Sequence, residues 1–264
     1  MKISACIPSW NSREFIAATI ASIRAQSVPV DELLVIDDGS TDGTPATAAA
    51  EGARVIAQTG NQGRGATRSL GMAQAAHGLV LWCDAAKTLE PDFLKNALPW
   101  FDDAKVAAVF GWVAQPPSVG AVDRWRGRHL FKERPGKMRR QAVLATGGAL
   151  LRASAVKAAG GFDPRLRHAE DADLGARLLA TGHDVVFDPN LRILSIAPNN
   201  LFQVLERYWR WNTAPHGRMT IAAYLRQIAY SIKVMAREDL IAHDPAAALI
   251  SLLSPHYQFW KSMA

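Results

Sequence analysis

The first half of the chain alternates short apolar runs with longer stretches in which apolar side chains recur every three or four positions. The short runs are continuous, which is typical of strands buried inside a sheet. They lie at residues 2–7, 32–36, 53–57, 78–83 and 105–112. The longer stretches predict helices over residues 12–26, 41–51, 63–76 and 91–102. This alternation predicts an α/β fold, in which a Rossmann-like, doubly wound and mostly parallel sheet has helices on both faces.

The pattern changes after residue 112. A strand-like stretch at 142–151 precedes two helices and a further strand. The two helices are predicted at 154–159 and 171–181, and the strand at 184–187. From residue 199 onward the pattern is mostly helical and rich in aromatic and basic side chains. We therefore predict a main domain over residues 1–198 and a helical C-terminal extension over residues 199–264.

Composition indicates a soluble globular protein. The chain has 264 residues, of which 49% are hydrophobic, and no apolar run approaches the roughly 20 residues that cross a bilayer. The first strand begins at once, so no signal peptide is expected. Cys6 and Cys83 fall in predicted strands without zinc-ligand spacing, which predicts free thiols and a cytoplasmic protein.

The net charge of +6 is concentrated in one segment. Residues 120–141 contain eight basic side chains and two acidic ones. An anionic membrane or a phosphorylated lipid would suit such a segment. No nucleic-acid motif accompanies it, so a nucleic-acid partner is not expected. A solvated loop without a special role is the alternative.

Two adjacent acids, Asp37 and Asp38, directly follow the second predicted strand. In open α/β sheets, ligands bind at the carboxyl ends of the strands. A carboxylate at this place suits the hydroxyls of a ribose or the N–H edge of a base. Adjacent like charges repel each other, so their presence at this place indicates a specific role for the two carboxylates. Capping of the next helix is the alternative interpretation, above all for Ser40 and Asp42.

Six motifs then occur in an order that resembles the family-2 glycosyltransferases, which are inverting nucleotide-sugar enzymes with the GT-A fold. The matching pieces run from Ile7 to Asn11, Ile36 to Thr44, Asn61 to Arg68, Leu81 to Ala86, Gly160 to Asp163 and Glu170 to Leu174. The resemblance covers residues 3–187, and residues 188–264 match little. It implies a GT-A domain over residues 1–198, with a nucleotide-binding half at about 1–112 and an acceptor half at about 113–198.

The resemblance also implies roles for residues at the strand ends. Pro8 and Ser9 would line the nucleotide. Asp38 would accept a hydrogen bond from the base, commonly uracil, and Arg68 would lie beside the base and phosphates. Asp84 matches the first acid of the family's DXD motif, which reaches the ribose and the metal.

Asp171 matches the general base of the family, with Glu170 beside it. Inverting transfer is a direct displacement, in which a carboxylate removes the acceptor hydroxyl's proton as the oxygen attacks. The start of a predicted helix favours an ionised carboxylate at this place. The alternative is that both acids only stabilise the first turn of that helix.

The DXD motif departs from the family pattern, because the chain reads Asp84-Ala85-Ala86-Lys87. Ala86 replaces the second acid, and residues 191–198 contain no histidine to support a metal. Dependence on a divalent ion, Mg²⁺ or Mn²⁺ at Asp84, therefore stays open, and no other cofactor is expected. An ammonium at Lys87 would stabilise a diphosphate leaving group as a point charge. A solvent-facing lysine is the alternative.

The expected substrates are a nucleoside-diphosphate sugar, with UDP as the first choice, and a glycan, glycolipid or lipid-linked acceptor. Arg207, Arg210 and Trp125 are the candidates for the acceptor or phosphate side. The basic segment and the tail predict peripheral contact with the inner face of the cytoplasmic membrane. The leading interpretation is a transferase that needs little or no metal. The alternatives are a metal-dependent transferase with rearranged ligands and a non-catalytic relative that binds nucleotide sugars and has a regulatory role.

Overall fold

The structure is a computed structural model that describes residues 1–118, 120–132, 136–212 and 218–263. The chain forms two compact units. The first, which we call the sheet unit, comprises Met1–Val113 and Pro135–Ala197. The second, the helical unit, comprises Ala114–Arg134 and Pro198–Ala264. The segment 114–134, which the sequence pattern placed in the main domain, thus groups with the C-terminal helices.

One eight-stranded sheet forms the centre of the sheet unit, in the order β3-β2-β1-β4-β7-β6-β8-β5. The strands are β1 (Ile3–Ser9), β2 (Glu32–Asp37), β3 (Arg54–Ala57), β4 (Leu79–Cys83), β5 (Lys87–Leu89), β6 (Val106–Ala114), β7 (Gly148–Arg152) and β8 (Asp184–Ser195). Strands β3, β2, β1 and β4 pair in parallel, whereas β7 pairs antiparallel with both β4 and β6. The carboxyl ends of the first four strands therefore meet at one edge.

Helices cover both faces of this sheet because successive strand residues point to opposite sides. In β1, Ile3 and Ile7 pack in a core that includes Ile16 and Ile20, whereas Cys6 packs in the core on the other face. The first face holds α1 (Arg13–Arg24), α2 (Thr44–Ala50) and α4 (Phe93–Ala97), and the second holds α3 (Arg64–Gln74), α6 (Ala153–Ala158) and α7 (Glu170–Ala180). The predicted fold class is confirmed.

The strands differ from the sequence prediction near the antiparallel half of the sheet. The predicted strand at 142–151 is shorter, because the ladder with β4 includes only Gly148–Arg152. The strand predicted at 184–187 continues to Ser195, because its second half pairs with β5. Strand β5 was not predicted, since three residues carry too short a pattern to recognise.

The helical unit consists of α5 (Ala121–Arg126), α8 (Leu201–Asn212), α9 (Ile221–Tyr230), α10 (Arg237–Ile241) and α11 (Pro245–Met263). Single π-helical segments extend α5 through Gly127–Phe131 and α9 through Ser231–Ala236. The side chain of Trp125 is fully buried in this unit, where its ring packs edge-on against Tyr208. Among the described helices, none has both the length and the apolar character needed to cross a bilayer.

A buried polar network joins α5 to the C-terminal helices. Asp239 accepts hydrogen bonds from Arg128, from His129 Nε2 at 2.8 Å and from Ser251 Oγ at 2.5 Å. Burial alone would raise the pKa of Asp239, but the hydrogen bonds from His129 and Ser251 lower it below its usual range. Stability from this carboxylate is therefore present above about pH 4 and lost as the pH falls through the lowered value. The same Ser251 Oγ accepts the indole N–H of Trp125 at 2.8 Å.

Replacing Ser251 with alanine should lower the free energy of unfolding of the helical unit by about 1–3 kcal/mol, because the buried Trp125 N–H would lose its acceptor. Urea denaturation followed by tryptophan fluorescence measures this change. Ser254→Ala is the matched control, since the Ser254 hydroxyl donates only to the Ser251 carbonyl on its own helix. We expect the control to change stability by about 0.5 kcal/mol or less. Equal effects of the two substitutions would contradict the role of the network.

Candidate active site

Asp37 holds together the two loops at the carboxyl ends of β1 and β2. Its buried carboxylate accepts hydrogen bonds from Ser9 Oγ at 3.1 Å and from Ser40 Oγ at 2.6 Å. The backbone N–H of Ser40 adds a third bond at 2.9 Å. Asp37 and Ser9 therefore shape the edge of the sheet, and Pro8, which is half-buried, precedes them on β1.

Asp38 connects the end of β2 to the loop before α3. Its Oδ1 accepts bonds from the Gln62 N–H at 2.7 Å and from Gln58 Nε2 at 2.9 Å, and its Oδ2 accepts the Gly63 N–H at 2.9 Å. Gly63 has a φ of 96°, which a residue with a side chain rarely adopts. A carboxylate has about four acceptor positions, and the described residues fill three of them, so one position on Oδ2 is left for a further donor.

Trp10 is an exposed aromatic residue at the same edge, and the sequence analysis did not single it out. Its side chain is 54% exposed, and it follows β1 directly. The loop that carries it is fixed, because the Asn11 N–H donates to Ser40 Oγ and Asn11 Oδ1 accepts the Thr41 N–H. An indole on a fixed loop beside the predicted nucleotide site offers a flat surface for a base.

Arg68 lies inside the sheet unit rather than on its surface. Its side chain is only 3% exposed, and one terminal nitrogen donates to Asp84 Oδ1 at 2.8 Å while the other donates to Glu170. The guanidinium carbon lies 5.8 Å from the centre of the Trp82 ring. Arg68 therefore joins Asp84 and Glu170, which are distant in the sequence, into one charged cluster.

Lys87 pairs with the other oxygen of Asp84, since its Nζ lies 2.8 Å from Asp84 Oδ2. Its side chain is 17% exposed, so the ion pair fixes its position while part of the side chain remains accessible to solvent. Burial acts to raise the pKa of Asp84, but the Lys87 ammonium and the Arg68 guanidinium lower it well below the usual range. Gly147 makes room for this pair, because a Cβ there would lie 1.8 Å from Lys87 Nζ.

Asp171 lies in the first turn of α7, next to Glu170. Its Oδ2 accepts the Thr146 N–H at 3.3 Å, and the carbonyl of the following residue, Gly147, accepts the Asp84 N–H at 3.4 Å. The backbone of Thr146 and Gly147 thus bonds to both Asp171 and Asp84 and holds them close together. Glu170 is buried, and burial raises the pKa of its carboxyl, a rise that Arg68 opposes and Asp171 increases.

The structure therefore brings together Arg68, Asp84, Lys87, Glu170 and Asp171, five of the residues that the sequence analysis selected. Thr146 and Gly147 complete this cluster, and the sequence analysis missed them. They carry no ionisable group, and the only signal was a pair of glycines where the strand opposite Asp84 begins.

The residues of this cluster do not fit a divalent metal ion. Both oxygens of Asp84 bond to cationic side chains, and Ala86 has no side-chain donor. Among the described residues, no group of three or more histidine, cysteine, aspartate or glutamate side chains is arranged to hold a metal. Mg²⁺ and Mn²⁺ favour several oxygen ligands, whereas Lys87 and Arg68 bring positive charge to this place.

The acceptor-side candidates all belong to the helical unit. Arg207 and Arg210 are half-buried on α8. Trp125 is in the core of the unit, so its ring presents no surface to an acceptor.

Four arginines of the basic segment 120–141 form ion pairs with acidic side chains. Arg124 forms two hydrogen bonds with Asp244, at 2.7 and 2.8 Å, and Arg126 pairs with Asp123 at 3.1 Å. Arg128 pairs with Asp239, and Arg140 pairs with Asp103 and Asp184. Arg134 lies outside the described residues. Lys137 and Arg139 are exposed, so the ion pairs reduce the charge that the segment presents to an anionic partner without removing it.

The fold and the charged cluster at the strand ends define a GT-A type of domain. A family model described as glycosyl transferase family 2 matches residues 4–157, which is more than half of the chain. The chain belongs to glycosyl transferase family 2.

A curated protein of related sequence agrees with this assignment. The O-antigen chain rhamnosyltransferase RfbN of Salmonella typhimurium is 25% identical over 200 residues, which cover 71% of this chain and 64% of RfbN. The chain thus spans less than two thirds of that relative.

Two solved structures share the fold at low sequence identity. One is the mannosyltransferase PcManGT from Pyrobaculum calidifontis in complex with GDP-Man and Mn²⁺, with a TM-score of 0.64 and 16% identity over 98% of this chain and 87% of that one. The other is S. aureus TarS 1-349 in complex with UDP-GlcNAc, with a TM-score of 0.61 and 19% identity over 98% of this chain and 73% of that one.

Proposed function

We propose that the protein is a glycosyltransferase that moves a sugar from a nucleoside-diphosphate sugar to an acceptor hydroxyl with inversion. The observation that supports this most is the placement of Asp171 beside the cluster of Asp84, Arg68 and Lys87. A base and a cationic group for a leaving diphosphate are the two parts that a direct displacement at an anomeric carbon needs.

Asp171 is the general base of this proposal. Its half-buried carboxylate accepts the Thr146 N–H, and the residue lies in the first turn of α7. The acceptor oxygen forms a bond to the anomeric carbon as its proton moves to Asp171. The bond from that carbon to the diphosphate oxygen breaks, and the diphosphate leaves with the electron pair.

Lys87 stabilises the charge that develops on the departing diphosphate. An ammonium group has three donors, and the bond to Asp84 uses one of them. Because the cluster does not fit a divalent ion, we propose that the reaction needs little or no metal. Glu170 and Arg68 act as positioning residues in this proposal, because Arg68 bonds to both Glu170 and Asp84, and Asp84 in turn bonds to Lys87.

The nucleotide binds at the carboxyl ends of β1, β2 and β4 in this proposal. Pro8 and Ser9 line its site, and Asp38 offers one acceptor position to the base. A UDP-linked sugar is the first choice for the donor, supported by the UDP-GlcNAc that TarS holds, and GDP sugars come second because PcManGT holds GDP-Man.

Trp10→Ala should weaken binding of the nucleotide by about 1–3 kcal/mol, because the exposed indole stacks on the base. Calorimetric titration of UDP and GDP measures this change. Trp10→Phe should retain most of the affinity. Val143→Ala, which removes an exposed apolar side chain elsewhere in the sheet unit, is the control and should leave affinity unchanged. A Trp10→Ala variant that binds both nucleotides as well as the parent would remove this residue from the site.

The acceptor is proposed to be a glycan, a glycolipid or a lipid-linked sugar, supported by the role of RfbN in building O-antigen chains. We further propose that residues 1–198 contain the transferase domain, and that Arg207 and Arg210 in the C-terminal extension serve the acceptor or phosphate side.

A non-catalytic protein that binds nucleotide sugars is the second candidate, because Asp84 is already neutralised by two cations. A measurement of turnover distinguishes the glycosyltransferase from the non-catalytic binding protein. The purified chain is incubated with UDP, GDP and TDP sugars in EDTA and in Mn²⁺, and release of free nucleotide is measured with and without glycan acceptors. Release that requires Asp171 supports the transferase, whereas tight binding without release of nucleotide for any donor supports the second candidate.

A further inference from the structure

The helical unit exposes a continuous apolar stripe along α11. Leu249 is 63% exposed and Trp260 is 61% exposed, and the exposed side chains between them on the same face are two leucines and one histidine. These residues recur every three or four positions, which places them on one side of the helix. The stripe consists of Leu249, Leu252, Leu253, His256, Trp260 and Met263.

Helix α9 adds a second apolar stripe beside the first. Ile221 is 72% exposed, and Leu225 one turn later and Ile232 farther along are also exposed. Tyr224 joins the two helices, because its hydroxyl lies 2.6 Å from His256 Nδ1 and its ring stacks on Phe259 at 4.4 Å. We call the two stripes together the α9–α11 surface.

Exposed cations accompany this apolar surface. Four exposed basic side chains lie just before α9, on α9, on its continuation Ser231–Ala236 and at the start of α10. None of them has a carboxylate within ion-pair distance among the described residues. They are Arg218, Arg226, Lys233 and Arg237. Glu238 is the one exposed acid on α10. Large exposed apolar patches mark interaction sites, and this one carries a positive rim.

We propose that the α9–α11 surface binds the interfacial region of a membrane that contains anionic phospholipids. An apolar helical face with flanking lysine and arginine side chains is the pattern of helices that lie in the plane of a bilayer surface. Exposed aromatic residues such as Trp260 and Tyr230 also favour the interfacial region of a bilayer, at the level of the headgroups. The apolar surface and the cations beside it supply the attraction.

A second copy of the chain fits this surface less well. Two copies that met through it in a symmetric contact would place the same cations opposite each other. Anionic headgroups instead complement these cations while the acyl region takes up the leucine and isoleucine side chains.

Vesicle flotation of the whole chain tests the proposal. Vesicles of phosphatidylcholine alone and vesicles that also contain phosphatidylglycerol are compared. We expect binding to the anionic vesicles, and weaker binding to the neutral ones. Leu249→Ser with Leu253→Ser should reduce binding to anionic vesicles by about tenfold or more, because the apolar surface would no longer enter the bilayer. Arg226→Gln with Lys233→Gln should reduce it several-fold and remove the preference for anionic lipid.

Matched controls keep the test specific. Val143→Ser removes an exposed apolar side chain from the sheet unit, and Lys2→Gln with Lys157→Gln removes the same charge there. Both should bind vesicles like the parent.

Negligible binding to both kinds of vesicle, or undiminished binding of the double leucine variant, would overturn the proposal. A dimer in light scattering that the leucine variant converts to a monomer, without vesicle binding, would instead assign the surface to a second copy. Calorimetric binding of nucleotide should not change in any variant, which separates this inference from the proposed function.

Discussion

Replacing Asp171 with asparagine is expected to lower the turnover number by about 10²- to 10⁴-fold while the dissociation constant of the donor stays unchanged. The amide keeps an oxygen that accepts the Thr146 N–H, so the geometry of the first turn of α7 is preserved. It cannot take up the proton of the acceptor hydroxyl, so the loss falls on the chemical step. Single-turnover kinetics with a saturating donor, together with calorimetric donor binding, measure the two quantities separately.

Asp173→Asn is the matched control for this prediction. Asp173 lies in the same first turn, and its carboxylate is paired with Arg177 at 2.6 Å on the outer side of the helix. The control should retain nearly the full rate, because only Asp171 is bonded to the Thr146 peptide of the cluster. If donor affinity and rate fell together in Asp171→Asn, the residue would have a structural role and the assignment of the base would fail.

Replacing Lys87 with methionine is expected to lower the turnover number by about 10²- to 10³-fold, because the departing diphosphate would lose its cationic partner. Methionine is similar in length and fills the space beside Gly147. The parent enzyme should keep its activity in EDTA. The depressed pKa of Asp84 keeps its carboxylate ionised until strongly acid pH, so the Asp84–Lys87 pair should persist across the neutral and mildly acidic range.

Lys95→Met is the control for Lys87, because Lys95 also pairs with an aspartate three positions earlier, Asp92, but on the exposed surface at 3.7 Å. An exposed pair of this kind contributes little, so the control should behave like the parent. Complete loss of parent activity in EDTA, with recovery on addition of Mn²⁺, would show that an ion rather than Lys87 assists the leaving group.

The parallel half of the sheet could be predicted from the sequence, because each of its strands is a short apolar run followed by an amphipathic helix. Strand β5 could not, since Lys87–Leu89 form a strand only through pairing with β8. The continuation of β8 past Asp188 was also hidden, because Pro189 and Asn190 favour a turn and only the partner strand overrides that preference.

The members of the charged cluster could be predicted because they follow strand ends or open a helix. The orientation of Arg68 could not, because a single sequence does not show that Asp84 and Glu170 both lie within reach of its guanidinium. The neutral backbone groups of Thr146 and Gly147 leave no chemical signal. The internal pairs of the basic segment were likewise hidden, because Asp239 and Asp244 lie more than a hundred positions away from Arg128 and Arg124.

The discontinuity of the helical unit has a consequence for the order in which the chain can fold. As the protein emerges from the ribosome, α5 appears long before Asp239, Asp244 and Ser251, which lie on or near the last two helices. Until those residues are synthesised, Trp125 and Arg128 have neither their acceptor nor their counter-charge. A chain that ended at residue 198 would therefore leave α5 with exposed arginines and an unpacked indole, so the C-terminal helices complete a unit that begins in the middle of the sequence.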